Sequence, residues 1–192
     1  TIVVFTSDHG DMMGSHRLLA KTVMYEEAAR IPWLMRIPRF GRKQQIVENP
    51  ASHIDLVPTL LELMNKTIPE HLPGKSFFPK RGDSSGNDDG DVFIEWNPNT
   101  RLGRTSLPHS LPHISPQAIR TVQGASIRTV ITRDGWKLNL CDHDKSQLFN
   151  MKKDPLETTN LFYDDRYRET ILRLSRKIAR WQQQTDDQVQ IV

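Results

Sequence analysis

The first six residues place the strongest constraint on the fold. They form a short, apolar, β-branched run without polar alternation, Thr-Ile-Val-Val-Phe-Thr. Such runs are typical of strands in parallel sheets that are covered on both faces. Ser-Asp-His-Gly follows at residues 7–10, at the carboxyl end of this strand, where ligands bind in open α/β sheets. The sequence therefore predicts an α/β fold with a candidate site directly after its first strand.

The pattern of later residues predicts a short helix at 25–29 and a longer helix at 55–64. It also predicts strands at 31–37 and 91–96. Ser52 and Asp55 are alternative N-caps of the longer helix. Asp55 is favoured, because Pro58 then falls in the first turn, where its missing N–H is tolerated. This favours a structural role for Asp55 over that of a catalytic acid.

The C-terminal third predicts three antiparallel strands followed by a helix. Asp134-Gly135 is a two-residue hairpin signal between strands at 127–133 and 136–141, and a third strand is expected at 147–149. A helix is expected from about Asp164. Its apolar residues are spaced by four, three, four and three, which predicts packing on the small sheet: Tyr167, Ile171, Leu174, Ile178 and Trp181.

Composition excludes several classes of protein. The 192 residues are 36% hydrophobic and 26% charged, which is typical of a globular chain. A net charge of +3 does not indicate a nucleic-acid partner. The single cysteine, Cys141, excludes an intrachain disulfide and a Cys-rich zinc site. No apolar run approaches the ~20 residues of a membrane span. We therefore expect a soluble protein, cytoplasmic or periplasmic, with its localisation unknown.

Asp8 and His9 are the residues most suited to metal chemistry. A carboxylate suits a hard divalent cation, and a neutral imidazole supplies a further donor. Lys21 follows twelve residues after His9 and could hold an anion that bridges to the metal. From the residues alone, a solvated loop is an equally open interpretation of Asp8 and His9, and an ordinary surface position is the favoured interpretation of Lys21.

Longer stretches resemble the sulfatase family of the alkaline phosphatase superfamily. The metal-site stretch of that family is similar to residues 5–21, Phe-Thr-Ser-Asp-His-Gly-Asp-Met-Met-Gly-Ser-His-Arg-Leu-Leu-Ala-Lys, and to Tyr-Glu-Glu-Ala-Ala-Arg-Ile-Pro after it. Further similar segments follow in order at residues 52–61, 69–76, 133–138 and 148–161. Only residues 79–125 lack a clear counterpart, which indicates a variable region.

The resemblance implies a fold in three parts. Residues 1–78 would form the trailing part of the large α/β/α sheet of the catalytic domain. Residues 79–125 would be a variable loop region with one strand. Residues 126–192 would form a small antiparallel sheet packed against a long helix. Asp8 and His9 would be the second pair of metal ligands, for calcium, and Lys21 would touch the sulfate. His16 would contact substrate or serve the structure.

The resemblance also implies that part of the active site is absent from this sequence. Sulfatases carry a nucleophile motif, Cys or Ser followed by x-Pro-x-Arg, in which formylglycine is formed. No such motif occurs here, and Cys141 is interpreted as structural. We expect the C-terminal part of an enzyme that hydrolyses small-molecule or saccharide sulfate esters. The alternatives are a phosphonate or phosphate ester hydrolase and a non-catalytic fragment. The isolated chain is expected to be inactive and to self-associate.

Overall fold

A computed structural model describes residues 1–38, 44–47, 49–77, 90–98 and 124–191. Two strands near the start, β1 (Val3–Thr6) and β2 (Trp33–Arg36), pair in antiparallel orientation. Between them lie a 3-10 turn at Ser15–Arg17 and the short helix α1 (Glu26–Ala29). The predicted helix at 25–29 and the predicted strands at 1–6 and 31–37 are therefore confirmed, although each element is shorter than expected.

The environment of β1 differs from the prediction of burial on both faces. Phe5 and Leu34 are paired across β1 and β2, and they are 63% and 59% exposed. The pairing places both side chains on the same face, because cross-strand partners point to the same side of a sheet. Among the described residues this face stays open, so the expectation of full burial is wrong for this part of the chain.

The second helix begins through a 3-10 turn, His53–Asp55, which leads into α2 (Leu56–Leu63). Ser52 and Asp55 form a capping box, so both candidate caps take part. The Asp55 carboxylate accepts the backbone N–H of Ser52 at 3.0 Å and that of Lys75 at 2.9 Å. These contacts agree with the structural role predicted for Asp55.

The C-terminal part contains a four-stranded antiparallel sheet in the order β3-β4-β5-β6. Its strands are β3 (Val92–Trp96), β4 (Ile127–Ile131), β5 (Trp136–Cys141) and β6 (Gln147–Asn150). Apart from β3 and the residues next to it, the predicted variable region at 79–125 lies mostly outside the described residues.

The hairpin between β4 and β5 has a three-residue loop, so the predicted two-residue turn is wrong. Ile131 pairs with Lys137, and the carbonyl of Thr132 accepts the N–H of Gly135 at 2.9 Å. Gly135 has φ of +89°, which is the left-handed conformation that this loop type requires. The extra residue ends β4 before Arg133.

One face of the small sheet packs against the long helix α3 (Arg168–Thr185), as predicted. The buried core consists of apolar side chains from both elements: Val130, Leu138, Leu140, Leu148, Leu174 and Ile178. At its edge Trp181 stacks on Phe93, with ring centroids 5.4 Å apart. Among the described residues, none of the helices has both the length and the apolar character that crossing a bilayer requires.

A buried ion pair fixes the segment that follows α3. Arg128 is 1% exposed, and its guanidinium donates to both carboxylate oxygens of Asp187 at 2.6 and 2.8 Å. These hydrogen bonds hold the pKa of Asp187 well below its ordinary value, against the opposing effect of burial. Arg128 projects from the same face of the sheet as the apolar core, because it lies two residues before Val130 on β4 and residues i and i+2 of a strand share a face.

The opposite face of the small sheet carries polar side chains. Thr129, Asn139 and Gln147 are cross-strand partners in one row. The Thr129 hydroxyl donates to the Asn139 side chain at 2.8 Å, and the Asn139 amide donates to Gln147 at 3.1 Å. Gln147 then donates to the Tyr25 hydroxyl at 3.0 Å. This face therefore contacts the segment that follows β1.

Candidate metal and anion site

Asp8 and His9 lie in a tight turn at the end of β1. The Ser7 hydroxyl donates to the His9 carbonyl at 2.7 Å, and the His9 N–H donates to the Asp8 carboxylate at 3.1 Å. His9 Nδ1 lies 2.7 Å from the Gly10 carbonyl. Because a carbonyl can only accept, Nδ1 carries the proton, and neutral His9 presents the lone pair of Nε2. The turn thus orients the imidazole so that Nε2 is its acceptor atom.

The two donor atoms have a spacing that one cation could bridge. Asp8 Oδ2 and His9 Nε2 are 3.2 Å apart. Two ligand atoms at right angles, each about 2.3 Å from a calcium ion, would be roughly 3.3 Å apart. The described residues contain no cluster of three or more His, Cys, Asp or Glu side chains suited to a metal. The pair therefore fits a divalent cation as part of a larger ligand set.

Lys21 completes the local arrangement. Its ammonium contacts His9 Nε2, although twelve residues separate them. Desolvation raises the pKa of Asp8, but hydrogen bonds from backbone N–H groups and the positive charge of Lys21 outweigh it, so the pKa lies below its ordinary value. The structure thus brings Asp8, His9 and Lys21 together. Their roles in metal and anion binding stay predictions.

His16 does not join Asp8, His9 and Lys21 but packs against Tyr25. It lies in the 3-10 turn with φ of +51°, and its ring stacks on Tyr25 with centroids 3.9 Å apart. Because the Tyr25 hydroxyl accepts a hydrogen bond from Gln147, these contacts lead toward the small sheet. The stack favours the structural role over substrate contact, which stays a prediction.

Lys137, Glu26 and Glu157 form a buried ion cluster that the sequence does not indicate. Lys137 Nζ lies 3.0 Å from Glu26 Oε1 and 2.9 Å from Glu157 Oε1, and the side chains of Lys137 and Glu157 are both 0% exposed. Burial raises the pKa of Glu157, although Lys137 opposes this effect. The alternation of polar and apolar residues in β5 places Lys137 on a polar face. That pattern predicts a solvated side chain and gave no signal of burial.

Comparison with known proteins identifies the family. The family model described as Sulfatase matches residues 1–66. Over 168 residues the chain is 34% identical to the uncharacterized sulfatase YidJ of Escherichia coli (strain K12), covering 87% of this chain and 29% of the relative. The chain belongs to the sulfatase family. This sulfatase chain corresponds to the C-terminal portion of its relatives and spans about three tenths of the length of the curated ones it matches.

Two further matches extend the comparison. The sulfatase chain is 31% identical to a delta 4,5-hexuronate-2-O-sulfatase of Bacteroides thetaiotaomicron, covering 87% of the chain and 31% of that relative. The solved phosphonate monoester hydrolase of Agrobacterium radiobacter matches with a TM-score of 0.72 and 26% identity, over 96% of the chain and 35% of that protein. These matches confirm the predicted fold class, a trailing part of the sulfatase-like sheet followed by a small antiparallel sheet on a long helix.

Proposed function

We propose that this chain supplies the second half of a metal and anion site in a sulfuric ester hydrolase. Asp8 and His9 hold a divalent cation, calcium, and Lys21 binds the sulfate group. The observation that carries the proposal is the convergence of three groups. Asp8 Oδ2 lies 3.2 Å from His9 Nε2, and the Lys21 ammonium contacts the same nitrogen.

The chemistry of each group supports its assigned role. Calcium, when bound, would polarise a sulfate oxygen as a Lewis acid. His9 is held by its Nδ1–H on the Gly10 carbonyl, and Asp8 supplies a charged carboxylate. Lys21 cannot be a ligand, because its ammonium is a cation without an acceptor. A cation on His9 Nε2 excludes this ammonium from the nitrogen, which frees its N–H groups for an anion. There it would stabilise the charge that develops as the ester bond breaks.

The names of the relatives support one substrate class. The matched Bacteroides protein is a hexuronate sulfatase, which supports a saccharide sulfate ester as substrate. Small-molecule sulfate esters fit the same proposal, because the site contacts the sulfate group itself. The nucleophile would be a formylglycine in a motif that this sequence does not contain.

A phosphonate or phosphate ester is the second candidate substrate. The solved phosphonate monoester hydrolase covers 96% of this chain, which is the observation in its favour. Both ester classes present a tetrahedral anion with oxygens that a cation and a lysine can hold. Turnover of p-nitrophenyl sulfate and of a p-nitrophenyl phosphonate by the intact protein that carries this chain would distinguish the two.

Asp8→Ala in the intact protein tests the metal assignment. We expect calcium content and turnover to fall together, because the substitution removes the charged ligand. Asp11→Ala is the matched control, since Asp11 lies in the same loop and its carboxylate accepts the N–H of Met13 at 2.9 Å. Elemental analysis, calorimetric titration with calcium and steady-state kinetics give the readouts. Normal calcium content and turnover in Asp8→Ala would contradict the proposal.

A further inference from the structure

Lys137 and Glu157 join the C-terminal sheet to the segment that carries the candidate site. Both side chains are fully buried, and the third member of the cluster, Glu26, is 23% exposed. We propose that Lys137 and Glu157 are positioning residues that fix the geometry of Asp8 and His9 through helix α1. This inference rests on the proposed function, since it concerns how that metal site is held.

The cluster forms two hydrogen bonds with Glu26, the first residue of α1. Glu157 Oε2 accepts the backbone N–H of Glu26 at 2.6 Å, and Lys137 Nζ donates to the side chain of the same residue at 3.0 Å. Glu157 has φ of +52°, a conformation that is uncommon for residues other than glycine. Glu157 thus adopts an unfavourable backbone conformation at the position from which its carboxylate accepts the first N–H of α1.

Helix α1 in turn contacts the turn that presents the two ligands. The carbonyl of Ala28 accepts the N–H of Gly10 at 2.8 Å. The approach is so close that a Cβ atom on Gly10 would lie 2.0 Å from the carbonyl oxygen of Glu27. Gly10 also supplies the carbonyl that accepts His9 Nδ1. A shift of α1 therefore moves Gly10, and the shift reaches the imidazole through this one hydrogen bond.

A second set of contacts supports the same connection. Tyr25 precedes Glu26, and its hydroxyl accepts the hydrogen bond from Gln147 at the end of the polar row on the sheet. The Tyr25 ring also lies near Phe149, with centroids 6.1 Å apart. The polar face of the small sheet thus contacts both α1 and the residue before it.

Charge makes the attachment specific. An ammonium buried between two carboxylates is stabilised only where all three groups meet, and the loss of one partner leaves an uncompensated buried charge. Because all three groups must meet, we expect the cluster to favour one position for α1. Groups that orient metal ligands from a distance change metal affinity when they are lost.

The test compares three variants of the intact protein: Lys137→Met, Glu157→Gln and Arg128→Met. Arg128 is the matched control, because it is an equally buried cation on the opposite face of the same sheet, paired with Asp187 instead of Glu157. All three variants are expected to lower the melting temperature. Only Lys137→Met and Glu157→Gln are expected to weaken calcium binding. The expected loss is roughly tenfold to a hundredfold, which is typical when residues that orient metal ligands are replaced.

The readouts separate positioning from stability. Calcium affinity is measured by calorimetric titration well below each melting temperature, and Glu157→Gln keeps the test open if Lys137→Met does not fold. Calcium affinity that stays at the level of Arg128→Met in both variants would overturn the inference. Failure of the proposed function has a different signature, because Asp8→Ala would then bind calcium as the unsubstituted protein does.

Discussion

The imidazole ring of His16 lies parallel to the phenol ring of Tyr25, with centroids 3.9 Å apart and an angle of 10° between the planes. Tyr25 is the last residue before α1, and its hydroxyl is bound by Gln147 of the small sheet. The stack therefore ties the loop between Gly10 and Lys21 to the C-terminal part of the chain. The stack also covers one face of the His16 imidazole, so that face is not open to a substrate.

The coupling between His16 and Tyr25 can be measured directly. We expect a double-mutant cycle of His16→Ala and Tyr25→Ala to give a coupling energy of about 0.5–1.5 kcal/mol in the free energy of unfolding. Urea denaturation of the four proteins supplies the values. A coupling near zero, together with a raised KM in His16→Ala alone, would favour the substrate-contact role.

Lys21→Ala in the intact protein should separate anion binding from metal binding. The ammonium is not a ligand, so calcium content should stay normal, while kcat should fall by roughly 10²–10³ if Lys21 acts like one oxyanion donor. Lys66→Ala, at an exposed position after α2, is the control and should leave kcat unchanged. Loss of calcium in Lys21→Ala would show that the lysine supports the metal instead.

The 192-residue chain by itself should not turn over p-nitrophenyl sulfate. It contains no Cys or Ser followed by x-Pro-x-Arg, and it offers one carboxylate and one imidazole at the candidate metal site. With so few ligands, calcium binding should be roughly millimolar or weaker. Turnover by the pure chain, or micromolar calcium affinity, would mean that the site is completed by other residues of the chain.

The isolated chain should also self-associate. Phe5 and Leu34 form an exposed apolar pair on the two-stranded sheet, and exposed strand edges recruit further strands. Light scattering should detect dimers or larger species at micromolar concentrations. The double variant Phe5→Thr and Leu34→Thr replaces both apolar side chains with a polar residue that favours strands, and it should shift the population toward monomer. Monodisperse monomer in the unsubstituted chain would contradict the expectation.

Acid should weaken the attachment of the C-terminal segment. The hydrogen bonds from Arg128 depress the pKa of Asp187 in the folded state. A carboxyl group with a depressed folded-state pKa stabilises the fold above its unfolded pKa of about 3.9, and this stabilisation is lost as the pH falls toward the folded-state value. Asp187→Asn should remove this part of the acid dependence and cost about 3–5 kcal/mol at neutral pH.

Denaturant unfolding between pH 2 and pH 7 checks this effect. Arg173→Met is the control, because Arg173 and Asp134 form a more exposed pair, which should contribute at most about 1 kcal/mol. An equal loss of stability in the two variants at neutral pH would show that burial does not strengthen the Arg128–Asp187 pair.

The sequence predicted those elements that local pattern defines. The helical spacing from Tyr167 to Trp181 predicted which side of α3 packs on the sheet, and the Asp134-Gly135 pair located the hairpin to within one residue. The convergence of Asp8 and His9 followed from their position after β1. These features depend on neighbours within a few residues, which periodicity and turn chemistry can register.

The features that the sequence did not reveal depend on distant neighbours. Lys137 alternates with apolar residues like a solvated strand residue, yet it is buried because α1 covers that face of the sheet. Phe5 belongs to a run that predicts burial, yet it is exposed because the described residues leave its face open. In both cases the covering element, or its absence among the described residues, is set by tertiary structure.

The attachment of α1 to the small sheet has a consequence for the order of folding. Glu26 lies 111 positions before Lys137 and 131 positions before Glu157. During translation the ligand turn and α1 therefore leave the ribosome long before their anchors are synthesised, and a helix of four residues is not stable without them. If Lys137 and Glu157 position α1 as proposed, the turn at Asp8 and His9 adopts its native geometry only after the C-terminal hairpins have formed. Under the proposed function, calcium binding would therefore depend on the closure of these hairpins.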